Sequence, residues 1–206
     1  MAPPRKHETD VILDAARALV LDVGPRAASV AAIAKNSGAP AGTLYHRFGN
    51  RDGILTAAWL RALERFQARA MAASTDEGAD SPIEAALETA TAMAVAAVTF
   101  ARELPEDARL LLTIRPGDLL DGEPDARFRE TLAAMNAPLT RRVRTLARQL
   151  FGRADLRSVD AVTRAVADLP YAVVRRHAHD EPMPSWLEAD VAASARAVLA
   201  SFGKGP

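Results

Sequence analysis

The sequence predicts an all-α protein of about nine helices: a small three-helix head built on a helix-turn-helix, followed by a larger helical bundle. Three observations predict it. Apolar residues recur at steps of three and four along most of the chain, the spacing of one helical face. Alanine is abundant, aromatics make up only 5% and no stretch alternates apolar with polar, so strands lack their usual residues. Capping residues, prolines and glycines punctuate the pattern where helices should begin and end.

The first helix is expected over 9–23, with Val11, Ile12, Ala15, Ala16, Leu19, Val20 and Val23 on its apolar side. Thr9 can cap its start, Gly24 can end it, and Pro25 blocks continuation. Ser29 caps a second helix whose inner face is Val30, Ile33 and Ala34, and Gly38 supplies a left-handed turn after Ser37. Pro40 opens a third helix, since proline suits a first turn. A fourth runs from about 50 to 73 with Ile54, Leu55, Ala58, Leu63 and Phe66 on its apolar side. The head is thus expected over 1–50, joined through helix 51–73 to a body over 51–206, with a polar break at 74–80.

In the body, Ser81-Pro82-Ile83-Glu84 is a strong helix start running to about 103. A short helix follows over 105–114, then a loop rich in Asp, Gly and Pro at 116–124. From 126 to 150, Phe128, Leu132, Met135, Leu139, Val143, Leu146 and Leu150 form one stripe, which Pro138 should kink or divide. Ser158 begins another helix through Val159, Val162, Val166, Leu169 and Val173, with Pro170 as a second kink. Ser185-Trp186-Leu187-Glu188 reads as a capping box opening the last helix, to about 202.

With no cysteine, disulfides, thiol catalysis and cysteine-ligated zinc are excluded. The polar, charged start is unlike a signal peptide, no apolar run approaches the roughly 20 residues a spanning helix needs, and a cytoplasmic location is expected. Net charge is zero but uneven. Residues 1–51 hold seven bases (Arg5, Lys6, Arg17, Arg26, Lys35, Arg47, Arg51) against four acids (Glu8, Asp10, Asp14, Asp22). A basic small end on an acidic body suits nucleic-acid contact by that end.

On a helical wheel the third helix turns Leu44 and Phe48 inward. The opposite side carries Gly42, Thr43 and His46, flanked by Tyr45 and Arg47, with no carboxylate to repel phosphate. Thr43 and Tyr45 can donate to phosphates, while His46 and Arg47 can reach bases or backbone. Gly42 lets the backbone approach a duplex closely. Ser29 lies at a helix start that could take a phosphate, and Arg51 adds a point charge at the fourth helix. Pro40 and Ala41 complete the candidate DNA-binding set, at the start of the reading helix.

These residues resemble the TetR family of bacterial transcriptional regulators. The likeness covers residues 12 to about 59: Ile12-Leu13-Asp14-Ala15-Ala16, Ile33-Ala34-Lys35-Asn36-Ser37-Gly38, Gly42-Thr43-Leu44-Tyr45-His46-Arg47-Phe48 and Arg51-Asp52-Gly53-Ile54-Leu55. The resemblance implies a homodimer, joined through the last two helices, that reads a palindromic double-stranded operator with its heads. It also implies a body that binds a small-molecule inducer and releases DNA when occupied. Two positions depart from the family pattern: Pro40 stands where a capping Ser or Thr is usual, and Ala41 where a longer polar side chain is common. An alternative is therefore a helical small-molecule binding protein that has lost its DNA readout.

For the ligand end, Met93, Phe100, Leu110, Leu111, Ile114, Met135 and Tyr171 are candidates to line an apolar cavity, with ordinary core as the competing reading. His177-Ala178-His179-Asp180-Glu181 holds metal-ligand types, but the spacing is unspecific; neither metal nor cofactor is expected. Arg141, Arg142, Arg144 and Arg148 read as a solvated face. No phosphate loop, nucleophile elbow or paired-histidine helix motif occurs, so an enzyme is not expected.

Overall fold

A computed structural model describes residues 5–73, 81–120 and 126–203. Those residues form helices α1 (Arg5–Val23), α2 (Val30–Ser37), α3 (Ala41–Phe48), α4 (Arg51–Ala72), α5 (Pro82–Glu103) and α6 (Pro105–Thr113). There follow α7 (Ala126–Phe151), α8 (Leu156–Thr163), α9 (Leu169–Arg176) and α10 (Leu187–Gly203). A π-turn over Arg164–Asp168 joins α8 to α9 without a break, so the two make one helix and the described residues hold nine α-helices and no strand. The expected breaks at 74–80 and 121–124 lie outside the described residues.

Several local expectations are corrected. Thr9 does not cap α1; the helix begins at Arg5, because residues 5–8 are good helix formers, and Thr9 Oγ1 accepts from Arg47 Nη1 at 3.0 Å. Pro138 does not divide α7, which runs unbroken past it. Pro170 is accommodated by the π-turn: a proline clashes with the carbonyl four residues back, here Val166, and the widened turn contains that residue. The last helix opens at Leu187, and Glu188 pairs with Arg102 rather than closing a capping box on Ser185.

The chain divides into two units: Met1–Glu64 with Glu106–Arg129, and Arg65–Pro105 with Glu130–Pro206. The first unit is thus larger than the expected 1–50 head, for two reasons. The start of α4 buries Ile54, Leu55, Ala58 and Trp59. In addition, α6 is tied in by polar bonds: Trp59 Nε1 donates to the Ile114 carbonyl at 3.1 Å, and Arg17 of α1 pairs with Asp107 and Glu106. Arg61 of α4 reaches back to Asp10 at 2.9 Å and to Asp14 at 2.5 Å. The apolar centre of this unit includes Ile12, Ile33 and Leu44, all fully buried.

The second unit is organised around α5, which packs on α10, α9 and the π-turn. Ser81 Oγ accepts from the Glu84 N–H at 3.2 Å, and Pro82 sits in the first turn, as the sequence predicts. By length and composition α5 is apolar enough to cross a membrane, against the expectation that no segment is. Its interior is alanine, threonine, valine and methionine between charged ends, and ten of its residues are buried as the core of this unit. Phe66 and Phe100 meet edge to face at 5.5 Å, as do Phe151 and Phe202 at 4.6 Å.

Candidate nucleic-acid interface

Three short stretches of chain set the orientation of α3. Ser29 Oγ accepts from the Ala32 N–H at 3.2 Å and caps α2. Gly38 ends α2 at φ 69°, a left-handed conformation that glycine adopts without penalty. Ser37 braces the same turn, its hydroxyl donating to the Ala34 carbonyl and accepting from the Ala39 N–H at 3.3 Å. The Pro40 carbonyl takes the first helical bond, from Thr43 N–H at 2.9 Å, and no side chain caps the amides of α3.

The other end is set by Gly49, at φ 79°, and by Gly53. A Cβ on Gly53 would lie 2.0 Å from the Phe48 carbonyl oxygen, so the α3–α4 corner closes only around a glycine. Asn50 Oδ1 accepts from the Gly53 N–H at 2.8 Å and caps α4.

Leu44 is 0% exposed, which anchors α3 by about 1.5–3 kcal/mol of apolar burial. Tyr45 on the other side is 54% exposed, and Ala41, Gly42 and His46 are exposed with it, while Thr43 is half-buried. Pro40 and Ser29 are exposed as well. Nothing lies within 4 Å of a Cβ built on Gly42, so internal packing does not require glycine there. No carboxylate occurs anywhere in 24–50, which carries Arg26, Lys35 and Arg47.

Two expected phosphate contacts are placed differently. Arg47 is half-buried and donates to Thr9, tying α3 to α1. Arg51 is turned inward. It donates to the Ala28 carbonyl at 3.0 Å, the Leu119 carbonyl at 3.4 Å and the Pro25 carbonyl, and it pairs with Asp52 at 2.6 Å. A guanidinium carries five donors in one plane, and here they gather the two 3-10 turns Pro25–Ala27 and Pro116–Leu119 onto the start of α4. Composition gave no sign of this, because those carbonyls come from segments far apart in sequence.

The seven expected ligand residues are dispersed. Leu110, Leu111 and Ile114 belong to the first unit; Met93, Phe100, Met135 and Tyr171 belong to the second. Met93, Phe100 and Leu110 are buried core, Leu111, Ile114 and Met135 are half-buried, and Tyr171 is 44% exposed. An open groove of about 360 Å³ lies instead in the second unit, between the end of α4 and α5. Arg69, Ala72 and Ala73 line it from one side, and Ala92, Val95, Ala96, Thr99 and Glu103 from the other. Small residues at three- and four-residue steps on α5 were the sequence signal for it. Arg69 pairs with Glu103 at 2.9 Å and lies over the Phe100 ring, so the charges at this groove neutralise each other. His177 bonds Asp180 at 2.7 Å and meets the Trp186 ring edge-on; no cluster of three metal-ligating side chains occurs among the described residues.

A short helix held at both ends by glycine turns, buried on one side and acid-free on the other, defines a helix-turn-helix of the kind that enters a major groove. Residues 12–58 match the family described as bacterial regulatory proteins, tetR family. The fold of the whole chain is shared with solved structures. The fatty acid degradation regulator FadR from Bacillus halodurans superposes with TM-score 0.67 at 18% identity, covering 92% of this chain and 97% of that one. The TetR family transcriptional regulator PfmR from Thermus thermophilus gives 0.60 at 21% identity, covering 95% and 99%. FadR from Bacillus subtilis, solved in complex with stearoyl-CoA, gives 0.60 at 16% identity, covering 96% and 98%. No curated protein matches the chain. The head is that of the TetR family of transcriptional regulators, and the whole chain carries their fold.

Proposed function

We propose that this chain is a cytoplasmic, ligand-responsive repressor that binds a palindromic operator as a homodimer, through its last two helices, and leaves it when a small molecule binds the second unit. The observation that carries the DNA half is the outer side of α3: Tyr45 and His46 exposed, Thr43 beside them, Leu44 fully buried opposite, and no acid from 24 to 50. In this reading Tyr45, His46 and Thr43 contact base edges and phosphates, and Gly42 admits the duplex backbone. Pro40 and Ala41 leave the first amides of α3 without a side-chain cap, so a phosphate is their natural acceptor. Arg47 and Arg51 act behind the surface, holding α3 and the start of α4 in place. The ligand half is supported by the fold shared with a regulator solved with stearoyl-CoA and by the groove between α4 and α5.

The test is a gel shift with the DNA upstream of the chain's own coding sequence and with a random-sequence pool. A dimer-sized complex on an inverted repeat, weakening steeply as salt rises, is expected. Absence of any retarded band at low salt in both arms overturns the DNA reading in favour of a binding protein without readout.

A further inference from the structure

The polar stripe of α7 contains a cation with no counter-charge. Arg142 is half-buried, its Nε is sealed from solvent, and Nε has no hydrogen-bond acceptor. The side chain makes no hydrogen bond or ion pair among the described residues. No acid occurs between Glu130 and Asp155, so its own helix supplies none over 131–154. Arg17 and Arg61, which also bury Nε, both pair with carboxylates through their terminal nitrogens. Arg109 shares the buried Nε but follows Glu106 and Asp107 in sequence. Arg142 is therefore the exception: a guanidinium withdrawn from water with nothing to accept from it, an arrangement that costs about 1–3 kcal/mol for each unsatisfied polar group.

Its place on the helix indicates what is missing. At 100° per residue, Arg142 lies within about 60° of Met135, Leu139 and Leu146, so it stands inside the apolar stripe and not on the outer side with Arg141 and Arg144. C-terminal to it the stripe is closed: Val143, Leu146 and Ala147 are buried. N-terminal to it the stripe is only partly covered, with Leu139, Met135 and Leu132 all half-buried. From Arg142 to Leu132 is ten residues, a rise of about 15 Å. A cation at one end of a partly covered apolar track is complementary to an anion at one end of an aliphatic chain.

We infer that the second unit binds a straight-chain aliphatic carboxylate, its head on the Arg142 guanidinium and its chain along Leu139, Met135 and Leu132 of α7. The planar guanidinium fork matches two carboxylate oxygens. The groove between α4 and α5 does not compete for this head, because its Arg69 and Glu103 already pair. The binding stands on the geometry of α7; only its consequence at DNA rests on the ligand-responsive reading above.

The full-length chain is titrated with dodecanoate by calorimetry and thermal melting, beside dodecanol (same chain, neutral head), dodecyl phosphate and acetate. Dodecanoate is expected to bind at least 10-fold tighter than dodecanol and dodecyl phosphate, with no binding of acetate. Arg142→Met should lose at least 10-fold for dodecanoate and leave dodecanol unchanged, while raising the melting temperature of the ligand-free chain, since it removes an uncompensated charge. Met135→Glu should lose both dodecanoate and dodecanol. Equal affinity for dodecanoate and dodecanol, tighter binding of dodecyl phosphate, or undiminished dodecanoate binding by a folded Arg142→Met chain overturns the inference. Gel shift with and without dodecanoate separates the two claims. Dodecanoate bound through Arg142 by a chain that never retards DNA upholds the site and sinks the repressor reading. DNA released by a neutral ligand in the Arg142→Met chain does the reverse.

Discussion

Removing the guanidinium of Arg17 should unfold the first unit at markedly lower denaturant. Asp107 is 1% exposed and Arg17 is its charge partner across α1 and α6. Burial pushes Arg17 down, but the hydrogen bond and charge of Asp107, joined by Asp14 and Glu106, outweigh it and hold the guanidinium above its ordinary value. Arg17→Met leaves the Asp107 carboxylate buried without that partner, a change worth about 3–5 kcal/mol. The lower end applies, because Asp107 keeps a further polar or electrostatic interaction. At a urea slope of about 2 kcal/mol per molar, 3 kcal/mol lowers the midpoint by about 1.5 M. Replacing both members, Arg17→Met with Asp107→Leu, removes the buried charge altogether and should recover most of that loss. The assay is fluorescence of Trp59, buried in the first unit, in a Trp186→Phe background that removes the only other tryptophan. A midpoint shift under about 0.5 M for Arg17→Met, or a double variant no more stable than either single one, would refute the reasoning.

Tyr45→Ala and His46→Ala should each weaken operator binding by about 1–3 kcal/mol with an unchanged melting curve, checked by gel shift and circular dichroism. Gly53→Ala should cost at least about 1–3 kcal/mol of first-unit stability, since its methyl meets the Phe48 carbonyl backbone and not a movable side chain; urea midpoints decide it. The Asp155 carboxylate caps α8, accepting from Ser158 N–H at 2.8 Å, and that bond, with the Ser158 side chain, holds it below the usual carboxylate range. Its contribution is present above the ordinary carboxylate pKa and is lost as pH falls through the lowered value. Amide protection of Ser158 should therefore drop on acidification in the native chain and be low and flat in Asp155→Asn.

The DNA-facing elements were legible because their signals are local. Ser29, Gly38 and the Leu44 to Phe48 spacing act within a few residues, and the cap, the left-handed turn and the buried anchor Leu44 follow from them. Arg47 and Arg51 were misread for the opposite reason. A basic residue beside a candidate interface has the same one-dimensional signature whether it faces DNA or the Thr9 hydroxyl and the Pro25, Ala28 and Leu119 carbonyls. Hydrophobicity alone likewise could not separate Met93 and Phe100, which are core, from Tyr171, which is exposed.

From sequence alone came the helical class, the helix count and the exposed side of α3, because periodicity and capping chemistry operate over one or two turns. Tertiary structure decided that α6 belongs with the head, that Arg51 gathers carbonyls, and that Arg142 lies inward without an acceptor. Those outcomes depend on which distant groups meet, and a guanidinium takes its role from whatever oxygen the fold brings within about 3 Å.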